Sequence, residues 1–117
     1  MKSVYSTIQK KKNELGFLGS CCPKLRKLIL QNSDKELVHA IKECLFNFLK
    51  GNYKIPEHNL QKIKKYKGSI RCLVGSNCFN RNKKILIQKG NGFLPFILPF
   101  VPLLGELVVN TVRKAFS

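Results

Sequence analysis

Lysine and arginine side chains are concentrated in one stretch of the sequence, where they could neutralise the phosphates of a polyanion. Residues 54–89 contain ten cations and a single acidic residue. Solvated helix faces usually mix the two signs of charge, so this stretch indicates a polyanion-binding surface. Lysine predominates, and lysine is a point charge that suits backbone phosphate contact better than the reading of base edges. The ten cations are Lys54, Lys62, Lys64, Lys65, Lys67, Arg71, Arg81, Lys83, Lys84 and Lys89.

The charge of the whole chain is large and uneven. The chain has 22 basic and 6 acidic residues, a net charge of +16. Residues 33–53 hold equal numbers of acidic and basic side chains, so we expect the packed centre of the fold there. A surplus of this size must be neutralised by a partner. Nucleic acid is the partner that we expect, with an anionic membrane surface or plain solubility as the alternatives.

Residues that could bind a metal or catalyse a reaction do not form a recognisable set. His39 and His58 lie at no zinc-ligand spacing from the cysteines, and no Cys-x-x-Cys occurs. The sequence also shows no nucleophile elbow, phosphate-binding glycine loop or paired carboxylates. We therefore expect no enzyme, no metal and no cofactor, and we expect the cysteines to be small buried side chains in a reducing compartment. They are Cys21, Cys22, Cys44, Cys72 and Cys78.

The apolar pattern predicts an all-α fold, a small bundle of three to four short helices. Pro23 suits a first helical turn, and Ser33 with Glu36 forms a capping box before a helix over residues 34–50. A further helix begins at Pro56, is interrupted at Gly68 and is followed by a short helix. The stretch "NRNKKILIQKG" predicts a basic helix with an Asn cap and a Gly stop.

Composition divides the chain into three parts. Residues 1–22 are expected to be a flexible basic arm, residues 23–89 a helical DNA-binding body, and residues 90–117 a glycine hinge with an apolar tail. The uninterrupted apolar run of the tail is shorter than the ~20 residues that span a bilayer. We expect this tail to contact a membrane surface or a partner chain. Its first residues are Phe93, Leu94, Pro95, Phe96, Ile97, Leu98, Pro99 and Phe100.

The order of these parts carries a resemblance. A Lys/Arg-rich body, then Gly90-Asn91-Gly92, then "FLPFILPF" resembles the C-terminal half of the adenovirus core protein X family, the precursors of the mu peptide. From about Cys21 onward the chain is also similar to the small basic proteins of Polintons (Mavericks) and adintoviruses. In those proteins a helix like "ELVHAIKECLFNFLKGN" precedes basic helices and a "QKGGFLP"-type tail.

The resemblance implies a late virion core protein that condenses double-stranded DNA in the virion core and host nucleus. It implies a viral cysteine protease and capsid proteins as partners, with cleavage between Asn91 and Gly92. Gln88 stands where that protease usually finds Met, Ile or Leu. The alternative is that Gly90 is a helix C-cap and Gly92 a hinge. The rival function is that of a membrane-active cationic protein whose proline-kinked tail inserts into anionic membranes.

Overall fold

Short α-helices surround one long helix in this chain. The structure is a computed structural model, and it describes residue 8 and residues 10–101. Regular structure within those residues is entirely helical, which confirms the all-α class, although there are more helices than the three to four expected. The elements are α1 (Lys12–Ser20), α2 (Pro23–Gln31), α3 (Lys35–Leu49), α4 (Glu57–Ile63), a 3₁₀ turn (Lys64–Tyr66), α5 (Lys67–Gly75), α6 (Phe79–Ile97) and a second 3₁₀ turn (Leu98–Phe100).

The longest helix, α6, is the centre of the bundle. It packs against each of the other five α-helices named above, and its Leu86, Phe93, Leu94 and Ile97 are fully buried. Burial of each such side chain contributes roughly 1.5–3 kcal/mol. Helices α1, α2, α4 and α5 add buried leucines and isoleucines to this core, so the packed centre that we expected in the 33–53 segment is only partly formed by that segment. That segment contributes Leu37, Val38, Ala40, Ile41, Cys44 and Leu45 from α3.

Residues 12–20 form a packed helix, which differs from the flexible arm expected for residues 1–22. Leu15 and Leu18 of α1 are fully buried. A Cβ atom at Gly19 would lie 3.0 Å from the Cβ of Leu98, so α1 also approaches the end of the core closely. The composition of "KNELGFLGS" does not indicate a packed helix, because only its two leucines contribute side chains to the core. Residues 1–7 and 9 of the expected arm, and 102–117 of the expected tail, lie outside the described residues.

A buried arginine joins α1, α2 and α6. Arg26 of α2 is only 3% exposed. Its guanidinium donates hydrogen bonds to the backbone carbonyls of Leu18 and Cys21 at the C-terminal end of α1, and to Asn91 Oδ1 at 2.9 Å. The Asn91 amide in turn donates to the Pro23 carbonyl at 3.1 Å. Cations stabilise helix C-termini, and these acceptors supply the partners that a buried charge needs.

The N-terminus of α3 is capped one residue later than the predicted capping box. Asp34 is the N-cap, and its Oδ1 accepts a hydrogen bond from the Leu37 amide at 2.8 Å. This bond is the main reason why the pKa of Asp34 is lowered. The Ser33 hydroxyl instead donates to the Leu30 carbonyl at 2.7 Å. Ser33 therefore closes the end of α2, and Asp34 opens α3.

Helix α6 continues through the two glycines that we expected to end it. It includes Gly90 and Gly92 and ends at Ile97. A Cβ atom at Gly90 would lie 3.1 Å from Leu30 Cδ1, and one at Gly92 would lie 2.1 Å from Tyr66 Cζ. The missing side chains allow α2 and the 3₁₀ turn to approach α6 closely. The predicted glycine stop and hinge are therefore wrong, because tertiary contact explains both glycines.

Candidate nucleic-acid interface

The ten cations predicted to bind phosphate lie on neighbouring elements of the fold, which together we call the basic region. Helix α6 packs against both α4 and α5, so residues that are distant in sequence share one part of the structure. Lys54 lies in the loop before α4. The others are Lys62, Lys64 and Lys65 on α4 and its 3₁₀ turn, Lys67 and Arg71 on α5, and Arg81, Lys83, Lys84 and Lys89 on α6.

Most of these cations are exposed and free of acidic partners. Nine of the ten are exposed, the exception being Lys83. No ion pair within the described part of the chain involves any of the ten; the pairs that form there involve Lys10, Lys11 and His39. An exposed cation without a carboxylate partner keeps its full charge available to a phosphate oxygen.

Two cations of the basic region also hold helices together. Lys83 is half-buried, and its Nζ donates to the Ser33 carbonyl at 3.0 Å, which fixes α6 to the end of α2. Arg81 donates from Nη2 to Cys72 Sγ at 3.4 Å and so links α6 to α5 while remaining exposed. Lys83 and Arg81 therefore differ from the other eight predicted phosphate ligands, because each already donates a hydrogen bond to an acceptor among the described residues.

Three of the five acidic side chains among the described residues lie at the beginnings of α1 and α3: Glu14, Asp34 and Glu36. A fourth, Glu43, lies within α3. Lys11 Nζ lies 3.1 Å from Glu14 Oε1, 3.7 Å from Asp34 Oδ2 and 3.9 Å from Glu36 Oε1. The hydrogen bond with Glu14 is the main cause of the raised pKa of Lys11. Glu57, at the start of α4, is the one acidic residue within positions 54–89. Apart from Glu57, the acidic side chains of the described residues therefore lie on α1, on α3 or just before α3, and not on the helices of the basic region.

Two further exposed cations lie on a helix that packs against α6, and the predicted set of phosphate-binding residues does not include them. Lys24 and Lys27 are exposed on α2, and α2 packs closely against α6 through Arg26, Asn91 and Gly90. Their spacing of three residues on a helix was visible in the sequence. The packing of α2 on α6 shows that their helix belongs to the same bundle as the other cations.

The predicted cleavage site is part of a continuous helix. The peptide bond between Asn91 and Gly92 lies within α6, and the side chain of Asn91 is hydrogen-bonded to Arg26 and Pro23. A protease that binds an extended strand can reach this bond only after α6 unwinds locally. Cleavage at Gly90-Asn91-Gly92 stays a prediction, and it requires that opening step.

The first residues of the predicted tail belong to the core. Phe93, Leu94, Ile97 and Leu98 are fully buried, so they are not available to a membrane or a partner while the bundle is intact. Pro95 lies in the last turn of α6, where it has no amide to donate to the Asn91 carbonyl, and the helix ends two residues later. The remaining tail positions are half-buried at Pro95, Phe96 and Phe100 and exposed at Pro99. Within residues 8 and 10–101, none of the helices has the length and apolar content to cross a bilayer.

All five cysteines are free thiols, but they differ in exposure. Cys44 is buried on α3, and loss of solvation raises its pKa to about 12. Cys22 and Cys78 are exposed, so the expectation of buried cysteines holds fully only for Cys44. The part of the chain that the structure describes contains no cluster of three or more His, Cys, Asp or Glu side chains that could hold a metal ion.

Chemically, the basic region can neutralise phosphate groups. Apart from Lys54 and Lys83, it offers eight exposed cations on neighbouring helical elements. If roughly six to ten phosphates are contacted, affinity falls by roughly 10³–10⁵ between about 50 and 200 mM salt. Comparisons with protein-family models, with curated proteins and with solved structures find no match to this chain. Its function is therefore inferred from the arrangement of its own residues and from the sequence pattern.

Proposed function

We propose that this protein binds double-stranded DNA without sequence preference and condenses it, as a non-enzymatic core protein of an adenovirus-like virion or mobile element. The observation that supports DNA binding is the set of exposed cations on α4, α5 and α6, free of acidic partners among the described residues. The virion assignment, with a location in the virion core and host nucleus, follows from the sequence resemblance of the basic body and the Gly-x-Gly-apolar segment.

The distribution of the cations favours condensation over the recognition of one site. They lie on several helices, with Lys24 and Lys27 on α2 adding to those of α4, α5 and α6. A reader of DNA sequence instead places a few Arg, Asn or Gln side chains on one edge that enters a groove. Point charges spread over several helices can contact phosphates of more than one duplex, which is what condensation requires.

The rival membrane function would require a different behaviour of the C-terminal apolar residues. Phe93, Leu94, Ile97 and Leu98 are fully buried in the bundle. Insertion of these side chains into lipid would remove them from the core and destabilise the fold. The DNA-binding function needs no such rearrangement, because the exposed cations are already accessible. We therefore propose DNA binding alone.

A salt titration of DNA binding with matched charge variants tests the proposal. The full-length chain is titrated with a random-sequence DNA duplex at several salt concentrations, and the slope of log affinity against log salt is measured. The double variant Lys64→Gln/Lys67→Gln removes two exposed charges from the basic region. The control Lys35→Gln/Lys50→Gln removes two exposed charges from the ends of α3. Helix content of both variants is checked by circular dichroism.

Each phosphate contact contributes about 0.9 to the magnitude of the salt slope on duplex DNA. The variant in the basic region should therefore lower that magnitude by about 1.8, whereas the control should leave it almost unchanged. Equal losses in both variants would show that net charge, and not the basic region, determines binding. Binding by the wild-type protein that does not depend on salt would refute the proposal altogether.

A further inference from the structure

A cleft of about 320 Å³ lies between the 3₁₀ turn after α4 and the C-terminal half of α6. Two aromatic side chains and two lysines line it, with a glycine between them: Tyr66, Phe96, Lys62, Lys65 and Gly92. This volume is at the lower end of the range typical of small-molecule sites. The cleft is part of the basic region, but simple phosphate neutralisation makes no use of its aromatic rings.

Each lysine of the cleft lies over an aromatic ring. Lys62 Nζ is 5.0 Å from the centre of the Phe96 ring, and Lys65 Nζ is 5.3 Å from the centre of the Tyr66 ring. Both lysines are exposed, and both rings are half-exposed. These distances are within the range of cation–π contacts. The cleft therefore combines accessible ring surface with positive charge at the same place.

The Tyr66 ring is held in a fixed position by the core. A Cβ atom at residue 92 would lie only 2.1 Å from Tyr66 Cζ. The ring can therefore pack against α6 only because residue 92 is glycine. It also contacts Phe93, with ring centres 5.9 Å apart and planes tilted by 54°. Phe93 is fully buried. A ring anchored in this way loses little conformational freedom when a ligand packs on it.

We propose that this cleft binds an unstacked nucleobase of single-stranded nucleic acid, which stacks on Phe96 beside Tyr66 while Lys62 and Lys65 move to the flanking phosphates. The proposal rests on the proposed nucleic-acid binding function and deepens it. Stacking of a base on an aromatic ring is tolerant of sequence because every base has a π face. Lysine stems are flexible, so each ammonium can leave its ring for a phosphate oxygen. Bases inside a duplex are already stacked, so only a single-stranded or opened segment can enter.

Three probes and two kinds of variant test the cleft. The probes are a short single-stranded oligothymidylate, an abasic strand of the same length and a duplex of the same length. Phe96→Leu keeps apolar volume at this half-buried position and removes the π face. Phe46→Leu is the matched control, because Phe46 is an exposed ring on α3 with Lys50 Nζ 5.0 Å from its centre.

Base–aromatic stacking predicts a selective effect on the strand that has bases. Phe96→Leu should weaken binding of oligothymidylate by roughly 5- to 150-fold, with affinity for the abasic strand and the duplex unchanged. Phe46→Leu should leave all three affinities unchanged. If Phe96→Leu leaves oligothymidylate affinity at the wild-type value, or lowers affinity for all three probes equally, the cleft is not a base-binding site. Failure of the wild-type protein to bind any probe would instead refute the underlying nucleic-acid function.

Photocrosslinking of the wild-type protein makes the test independent of the folding of any variant. A strand containing 5-bromouracil is irradiated with the full-length chain, and the crosslinked residue is identified by mass spectrometry. Crosslinks at Tyr66 or Phe96 support the proposal. Crosslinks found only at other residues of the chain would overturn it.

Discussion

Replacement of Gly92 by alanine tests whether Gly90-Asn91-Gly92 is a packing element of α6 or a hinge. In an open helix interior, Gly→Ala stabilises by up to about 1 kcal/mol, because glycine loses more backbone entropy on folding. At Gly92 the new Cβ would lie 2.1 Å from Tyr66 Cζ and 2.3 Å from Tyr66 Oη. The tyrosine must then leave the helix and give up its contact with Phe93.

The two effects oppose each other, and their magnitudes decide the sign. Overpacking of this kind costs about 1–3 kcal/mol, and the helical preference of alanine returns up to about 1 kcal/mol. We therefore expect Gly92→Ala to lower the free energy of unfolding by about 1 kcal/mol. Urea unfolding followed by circular dichroism measures the change.

Two companion variants separate the clash from other effects of alanine. Gly68 of α5 has open space where its Cβ would lie, so Gly68→Ala should stabilise by roughly 0.5 kcal/mol. In a Tyr66→Ala background no ring meets the new Cβ, and Gly92→Ala should then stabilise as well. If Gly92→Ala stabilises the otherwise wild-type chain as much as Gly68→Ala does, residue 92 is not in close contact with Tyr66 and this packing argument is refuted.

Two further predictions concern the buried polar and thiol groups. Arg26→Met should lower the free energy of unfolding by about 3 kcal/mol or more, because backbone carbonyls of α1 and the Asn91 amide oxygen lose their donor. The control Lys27→Met, at the exposed neighbouring position, should change the free energy of unfolding by less than about 0.5 kcal/mol. Equal effects of the two variants in urea unfolding would contradict this role of Arg26. A thiol-reactive chromophore should modify the exposed Cys22 rapidly in the native protein. It should modify Cys44 only as fast as the chain unfolds, because Cys44 is buried and its pKa is raised to about 12. Modification of Cys44 in the rapid phase would show that the α3 core opens readily.

Local sequence signals located most helices but not the contacts between them. The helical period of the 34–50 segment and the prolines at 23 and 56 predicted α3 and the beginnings of α2 and α4 correctly. These signals act within one turn of the chain, where capping and side-chain spacing determine the outcome. The structural role of Gly92 depends instead on Tyr66, which is distant in sequence and adjacent in space. A glycine after a basic helix has the same local appearance whether it stops the helix or receives a neighbouring ring.

The candidate interface also depends on contacts between helices that the sequence does not reveal. Segregated charge is a property of composition, and the sequence was sufficient to identify the ten cations of the basic region. It could not distinguish Lys83, whose ammonium is bound by the Ser33 carbonyl, from Lys84, which is exposed on the same helix. It also could not bring Lys62 over the Phe96 ring, since that contact joins α4 to the last turns of α6.

Because α6 carries both cations and core residues, binding and folding cannot be separated by cutting the chain. A fragment ending at residue 89 keeps every cation of the basic region but loses four fully buried side chains, Phe93, Leu94, Ile97 and Leu98. At roughly 1.5–3 kcal/mol for each, the loss is about 6–12 kcal/mol as an upper estimate. That is comparable with the whole stability of a small domain, about 5–15 kcal/mol. Weak DNA binding by such a fragment would report unfolding and would wrongly implicate the apolar segment. Substitution of exposed cations within the intact chain changes the charge and leaves the core in place, so it tests the basic region without unfolding the bundle.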